Sequence, residues 1–150
     1  MKASIIFLCL TFFLSTAHQQ QTKPGTYIKI TSKSTIKILS SRKGVDSSSS
    51  GVDAGEPRCK TWKLSNEQIM AILRSSKEID GHEWHYFYGV YPCMYTGEVS
   101  IDGHIAEYTV NAGAVTTLRF KDTAVWLGYK QQNYKKYFIE GRYIYKDKKN

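Results

Sequence analysis

From Gly97 to Tyr129, apolar and polar positions alternate with the period of a β-strand, and short turn signals cut the alternation into four pieces. Asp102-Gly103 stands between Gly97–Ile101 and His104–Asn111, and this dipeptide suits a type I′ hairpin, whose two central residues both need positive φ. Pairing Ile101 with His104 then sets Val99 opposite Ala106, Gly97 opposite Tyr108 and Tyr95 opposite Val110. One face becomes almost wholly apolar, and Glu98, Ser100, Ile105, Glu107 and Thr109 occupy the other. A slip of one residue would exchange the faces, so the segregation selects this register. After the turn Asn111-Ala112-Gly113-Ala114, only Val110 opposite Thr116 keeps Leu118 and Phe120 apolar-side, and the same choice puts Arg119 across from Glu107. Lys121-Asp122-Thr123 turns the chain into Ala124–Tyr129, with Val125, Leu127 and Tyr129 inward and Trp126 outward beside Arg119.

Ahead of this meander the period changes. Ser65-Asn66-Glu67-Gln68 forms a capping box, Ile69, Ile72, Leu73 and Ser76 follow helical spacing, and Gly81 supplies a stop after Ile79. The expected fold is therefore α+β, an antiparallel β-meander covered by one amphipathic helix. Thr26–Ile30 and Thr35–Leu39 read as a hairpin or two edge strands, Cys59–Leu64 as a short strand, and Trp84–Tyr95 as a strand broken at Gly89-Val90-Tyr91-Pro92. The aromatic run Asn133–Tyr145 also reads as strand, interrupted at Gly141.

Composition sets the context. Met1-Lys2, the apolar run Ile5–Leu14 and Ser15-Thr16-Ala17 have the form of a secretory signal peptide cut after Ala17. The run is too short to span a bilayer core of about 30 Å, so no stable membrane anchor is expected. The sequence divides into a signal peptide (1–17), N-terminal strands (18–40), a flexible Ser/Gly-rich linker (41–57), an α+β domain (58–145) and a disordered tail (146–150). Cys59 and Cys93 remain as an even pair in an exported chain. One disulfide is the simplest expectation, two buried free thiols the alternative. A net charge of +8, spread along the chain, favours anionic partners such as an acidic protein. Nothing in the sequence has the form of a nucleic-acid-recognition motif.

Candidate chemistry is sparse. His82 and His85 are three apart with Glu83 between them, whereas the metalloprotease helix motif needs histidines four apart. A zinc site there would need Asp80, Asp102 or His104 to join, and exposed loop histidines are the plainer reading. Glu98 opposite Glu107 has the form of a glycosidase carboxylate pair, but Arg119 next door makes a surface ion-pair cluster the better reading. No nucleophile elbow or phosphate loop occurs, and no cofactor is expected. Eleven tyrosines exceed what a core of this size needs. Tyr86, Tyr88 and Trp126, together with Glu98, Glu107 and Arg119, are therefore candidates for a binding surface.

Through Trp62-Lys63-Leu64-Ser65-Asn66-Glu67-Gln68-Ile69, His85-Tyr86, Pro92-Cys93, Ile101-Asp102-Gly103 and Asn111-Ala112-Gly113, the chain resembles small exported proteins of unknown function from Gram-negative bacteria. The resemblance covers about Trp62 to Tyr129 and brings no activity with it. In kind, small exported α+β proteins with one disulfide are similar to periplasmic inhibitors and immunity proteins of antibacterial toxins. The expectation is thus a periplasmic or secreted protein, not an enzyme, that binds another protein. A small envelope hydrolase and a module for an anionic polymer are the alternatives.

Overall fold

The computed structural model describes residues 29–45 and 56–143. Its centre is the meander β4 (Cys93–Ile101), β5 (His104–Asn111), β6 (Val115–Phe120) and β7 (Thr123–Gly128). The register is the one the alternation selects: Ile101 pairs with His104, Val99 with Ala106, Gly97 with Tyr108, Tyr95 with Val110, Val110 with Thr116 and Glu107 with Arg119. Asp102 and Gly103 both take positive φ, 51° and 87°, as the hairpin turn requires.

Three further strands, β1 (Ile36–Ile38), β2 (Arg42–Val45) and β3 (Lys77–Ile79), complete an antiparallel sheet in the order β1-β4-β5-β6-β7-β3, with β2 also on β4. β1 lies on Val99–Ile101 and β2 on Cys93–Thr96, so the N-terminal strands belong to the main sheet. Between β1 and β2 the edge strand bulges: the amides of Leu39 and Ser40 both donate to the Glu98 carbonyl. The bulge presses Ser40 against Gly97, where a Cβ would collide with the Ser40 carbonyl, and that carbonyl accepts the Tyr108 hydroxyl at 3.1 Å. Of the expected N-terminal hairpin, Thr26–Ile28 lies outside the described residues, and Arg42–Val45, expected in a flexible linker, is strand. The segment 46–55 of that linker, the signal peptide and the tail from Lys146 also lie outside them.

The inner face carries the core. Val99, Ile101, Tyr108, Val110 and Leu118 are buried there under α2 (Asn66–Ser75), which contributes Ile69, Ile72 and Leu73. Ser65 caps α2 as its sequence promises: the Gln68 amide donates to the Ser65 hydroxyl at 3.3 Å, and the Ser65 amide donates to Gln68 Oε1 at 2.8 Å. The helix stops at Ser75, earlier than expected. Ser76 is extended, and β3 (Lys77–Ile79) adds to β7 with Ile79 opposite Trp126. Strand pairing thus captures Ile79, the residue that helical spacing extends to.

Cys59–Leu64 is not a strand. Pro57 and the Glu56 side chain, which accepts from the Arg58 amide, start a single-turn helix, α1 (Pro57–Thr61). Its last carbonyls are held by Lys43, whose ammonium donates to Cys59 O at 2.5 Å and Trp62 O at 2.7 Å. Cys59 and Cys93 form the expected disulfide, tying α1 to the first residue of β4. Gly81 is not a helix stop either, because Asp80 caps a third helix, α3 (Gly81–Phe87), by accepting from the Glu83 amide at 2.7 Å. The strand expected from Trp84 accordingly begins only at Cys93. Asn133–Tyr145 is a 3-10 turn (Tyr134–Lys136) followed by irregular chain through Tyr143, with Ile144 and Tyr145 outside the described residues. Its aromatic residues pack instead of pairing, and the Ile139 amide donates to Ala112 O at 3.0 Å.

Candidate functional site

The outer face is covered at one end and bare elsewhere. At the covered end, Asn111 is buried, and its side chain replaces a strand partner for Tyr91: Nδ2 donates to Tyr91 O at 2.6 Å, while Oδ1 accepts from the amides of Tyr91 (3.0 Å) and Gly113 (2.9 Å). Gly113 passes so close to Gly89 that a Cβ would collide with the Gly89 carbonyl. Tyr91 donates to Glu140 at 2.6 Å and accepts from Arg58 at 3.2 Å, linking this loop to the C-terminal segment and to α1.

Tyr88, proposed for a surface from sequence, turns inward here. It is 5% exposed, beside Gly128 and Ile79. Burial pushes the hydroxyls of Tyr88 and Tyr91 up to about 12, and for Tyr91 the hydrogen bond to Glu140 adds to the rise. The proton is thus held more tightly in the folded state than in the unfolded chain, where tyrosine titrates near about 10. The associated stability is complete below pH ~10 and is lost as pH rises through ~12. Thermal melts should show a plateau to about pH 9.5 and a steep fall toward pH 12, and Tyr88→Phe should shallow that fall. An unchanged alkaline profile for Tyr88→Phe would exclude Tyr88 from it.

Beyond the covered end lie two rows of side chains set by the ladder. One crosses four strands as Glu98, Glu107, Arg119 and Ala124, and the next as Arg42, Thr96, Thr109, Thr117 and Trp126. Trp126 is therefore opposite Thr117 and diagonal to Arg119. All the charged members are exposed, and so is Ile105, at 62%. Glu107 and Arg119 are neighbours as expected, yet the expected ion-pair cluster does not close. Arg58–Glu56, Lys130–Glu83 and Arg142–Glu83 do form ion pairs, all away from this row. Two open grooves run along the rows, one lined by Thr96, Glu98, Glu107 and Thr109, the other by Ile105, Glu107, Arg119 and Lys121.

The shoulder of this face is α3, which buries none of its residues fully. Glu83 holds it down through Lys130 at 2.7 Å, and Trp84 stacks on Trp126 with centroids 5.9 Å apart and planes 16° from parallel. Trp126 is thus outward but half-covered, at 40% exposure. Tyr86, 53% exposed, packs its ring against His82 (4.6 Å) and His85 (4.9 Å). These histidines lie on a helix, not in the expected loop, and their ring contacts are with aromatic side chains. His104 is exposed at the far hairpin. Among the described residues no group of three His, Cys, Asp or Glu is placed to hold a metal ion, and no helix is long and apolar enough to cross a membrane.

Sequence reasoning therefore places Glu98, Glu107, Arg119 and Trp126 on one face, as the ladder has them, and misses Trp84. The missed signal is Asp80-Gly81-His82-Glu83, a helix N-cap with an acidic first turn that swings Trp84 over the sheet. Comparison of the chain with protein-family models, with curated proteins and with solved structures finds no match.

Proposed function

We propose that this chain is an exported binding protein without catalytic activity, an inhibitor or immunity protein that blocks a toxin in the periplasm. The observation that carries the reading is the bare outer face itself. Its backbone is fixed by four hydrogen-bonded strands, so the charged row, the threonine row and the Trp84–Trp126 shoulder are in position before a partner arrives. Preorganisation of this kind lowers the ordering cost of association. The partner we favour is an acidic protein, since Lys37, Arg42, Arg119 and Lys121 outnumber Glu98 and Glu107 on this face. Opposite charge would speed encounter at low salt.

Arg119→Glu should leave the fold intact and weaken capture of the partner at least about tenfold. Trp126→Ala should also weaken capture, and it should cost about 1 kcal/mol of stability because it removes the stack on Trp84. Calorimetric titration of the variants against a partner captured from the producing cells checks both. Deleting this gene should poison the cells, and deleting the captured protein's gene should relieve the poisoning. A metal-dependent turnover abolished by His85→Ala would overturn the reading in favour of an enzyme.

A further inference from the structure

We infer that the outer face pairs with the same face of a second copy of this chain, across a two-fold axis running along the strands midway between β5 and β6. The inference rests on reading this face as a protein-binding surface and names an occupant for it when no other partner is present. The order β1-β4-β5-β6-β7-β3 puts the β5/β6 boundary at the centre of the sheet. Rotation about that axis lays β6 of the copy over β5, and β7 of the copy over β4, without moving any row along the strands.

Each row then meets a complement of itself, as a two-fold interface requires. Glu107 faces Arg119 of the copy, and Arg119 faces Glu107 of the copy, so the pair that stays open within one chain closes twice between two chains. Glu98 lies over the small Ala124. In the neighbouring row threonine meets threonine, and the exposed edge of the copy's Trp126, with Trp84 stacked on its ring, comes over Thr96. Within one chain Glu98 and Glu107 are opposed like charges, an unfavourable cross-strand pair that the copy's Arg119 relieves.

Five strands spaced about 4.8 Å apart give a face only about 20 Å wide. The exposed rows run roughly 15–20 Å along it at about 3.4 Å per residue, so each copy covers roughly 300–400 Å², below the standard of about 800 Å² per partner for a specific interface. The dimer is accordingly weak and exchanging, and it yields its face to a tighter partner.

Sedimentation equilibrium on the purified protein, with Arg119→Glu, Glu107→Arg and the double exchange E107R/R119E, tests the inference. Each single variant should raise the dimer dissociation constant at least about tenfold, and the double exchange should return it to within about threefold of wild type. Only a face that meets itself recovers when the two charges trade places. Melting temperatures of the three exposed-site variants verify that each is folded. A wild-type protein that stays monomeric at millimolar concentration, or a folded double exchange no better than the singles, overturns the inference. Partner capture by the same proteins separates the two readings. Capture lost in Arg119→Glu from a wild type that never dimerises rejects the dimer and keeps the binding function. A dimer with the expected exchange behaviour and no captured partner rejects the binding function and keeps the dimer.

Discussion

Reduction of the Cys59–Cys93 bond is expected to lower stability by about 3–4 kcal/mol, the loop-closure contribution for a separation of 34 residues. The local structure says where the loss will fall. α1 is a five-residue turn, far too short to persist alone, and it depends on the bond, on Lys43 at its C-terminal carbonyls and on the Trp62 indole N–H donated to Tyr137 O at 2.7 Å. Cys93 is fully buried and starts β4, so freeing it also loosens the β2 edge that pairs with it. Urea denaturation of the oxidised and reduced protein should show a large shift in midpoint with α1 amides exchanging first. An unchanged midpoint would mean that the packing around Trp62 suffices without the bond.

Asn111→Ala should cost about 3 kcal/mol, although it removes only a small side chain. Three backbone groups depend on that side chain, namely the N–H and C=O of Tyr91 and the N–H of Gly113, and the site is buried. Leaving buried polar groups unpaired costs about 1–3 kcal/mol each, and partial rehydration offsets some of the sum. Asn111→Asp is the informative companion. It keeps the acceptor but brings a carboxylate to the Tyr91 carbonyl, so it should recover little. Thermal melts of the two variants decide this. A loss below about 0.5 kcal/mol for Asn111→Ala would show that the loop over the sheet end is held by Tyr91, Arg58 and Glu140 alone.

The sequence made the meander legible because two constraints coincide there. Alternation fixes which face each residue takes, and the Asp-Gly turn fixes the pairing, so the whole Glu98–Glu107–Arg119 row is legible in the chain itself. β2 was not legible: Arg42-Lys43-Gly44-Val45 has no apolar period and becomes strand only because β4 offers an open edge. β3 was hidden for a similar reason, since its three residues lie where helical spacing carries on from α2. α3 is taken for strand because the segment is rich in aromatic residues and Glu83-Trp84-His85-Tyr86 alternates polar with apolar. It is short and buries no residue fully, so the amphipathic stripe that marks most surface helices is weak there. The C-terminal aromatics pack in irregular chain, where side-chain contacts such as Tyr129 against Phe138 at 5.3 Å replace a ladder.

The bulge at Leu39–Ser40 bears on how the protein behaves when crowded. An uninterrupted edge strand is a template on which another chain can lay a strand, the first step toward fibrous aggregates. Here that edge is split into pieces of three and four residues, kinked over Gly97, and marked with Lys37 and Arg42, while the opposite edge, β3, is three residues long. Neither border offers a straight run for end-to-end growth. Replacing Gly97 with valine would push the kinked segment off its seat, and the variant should be sought among insoluble products before it is assayed for any loss of binding.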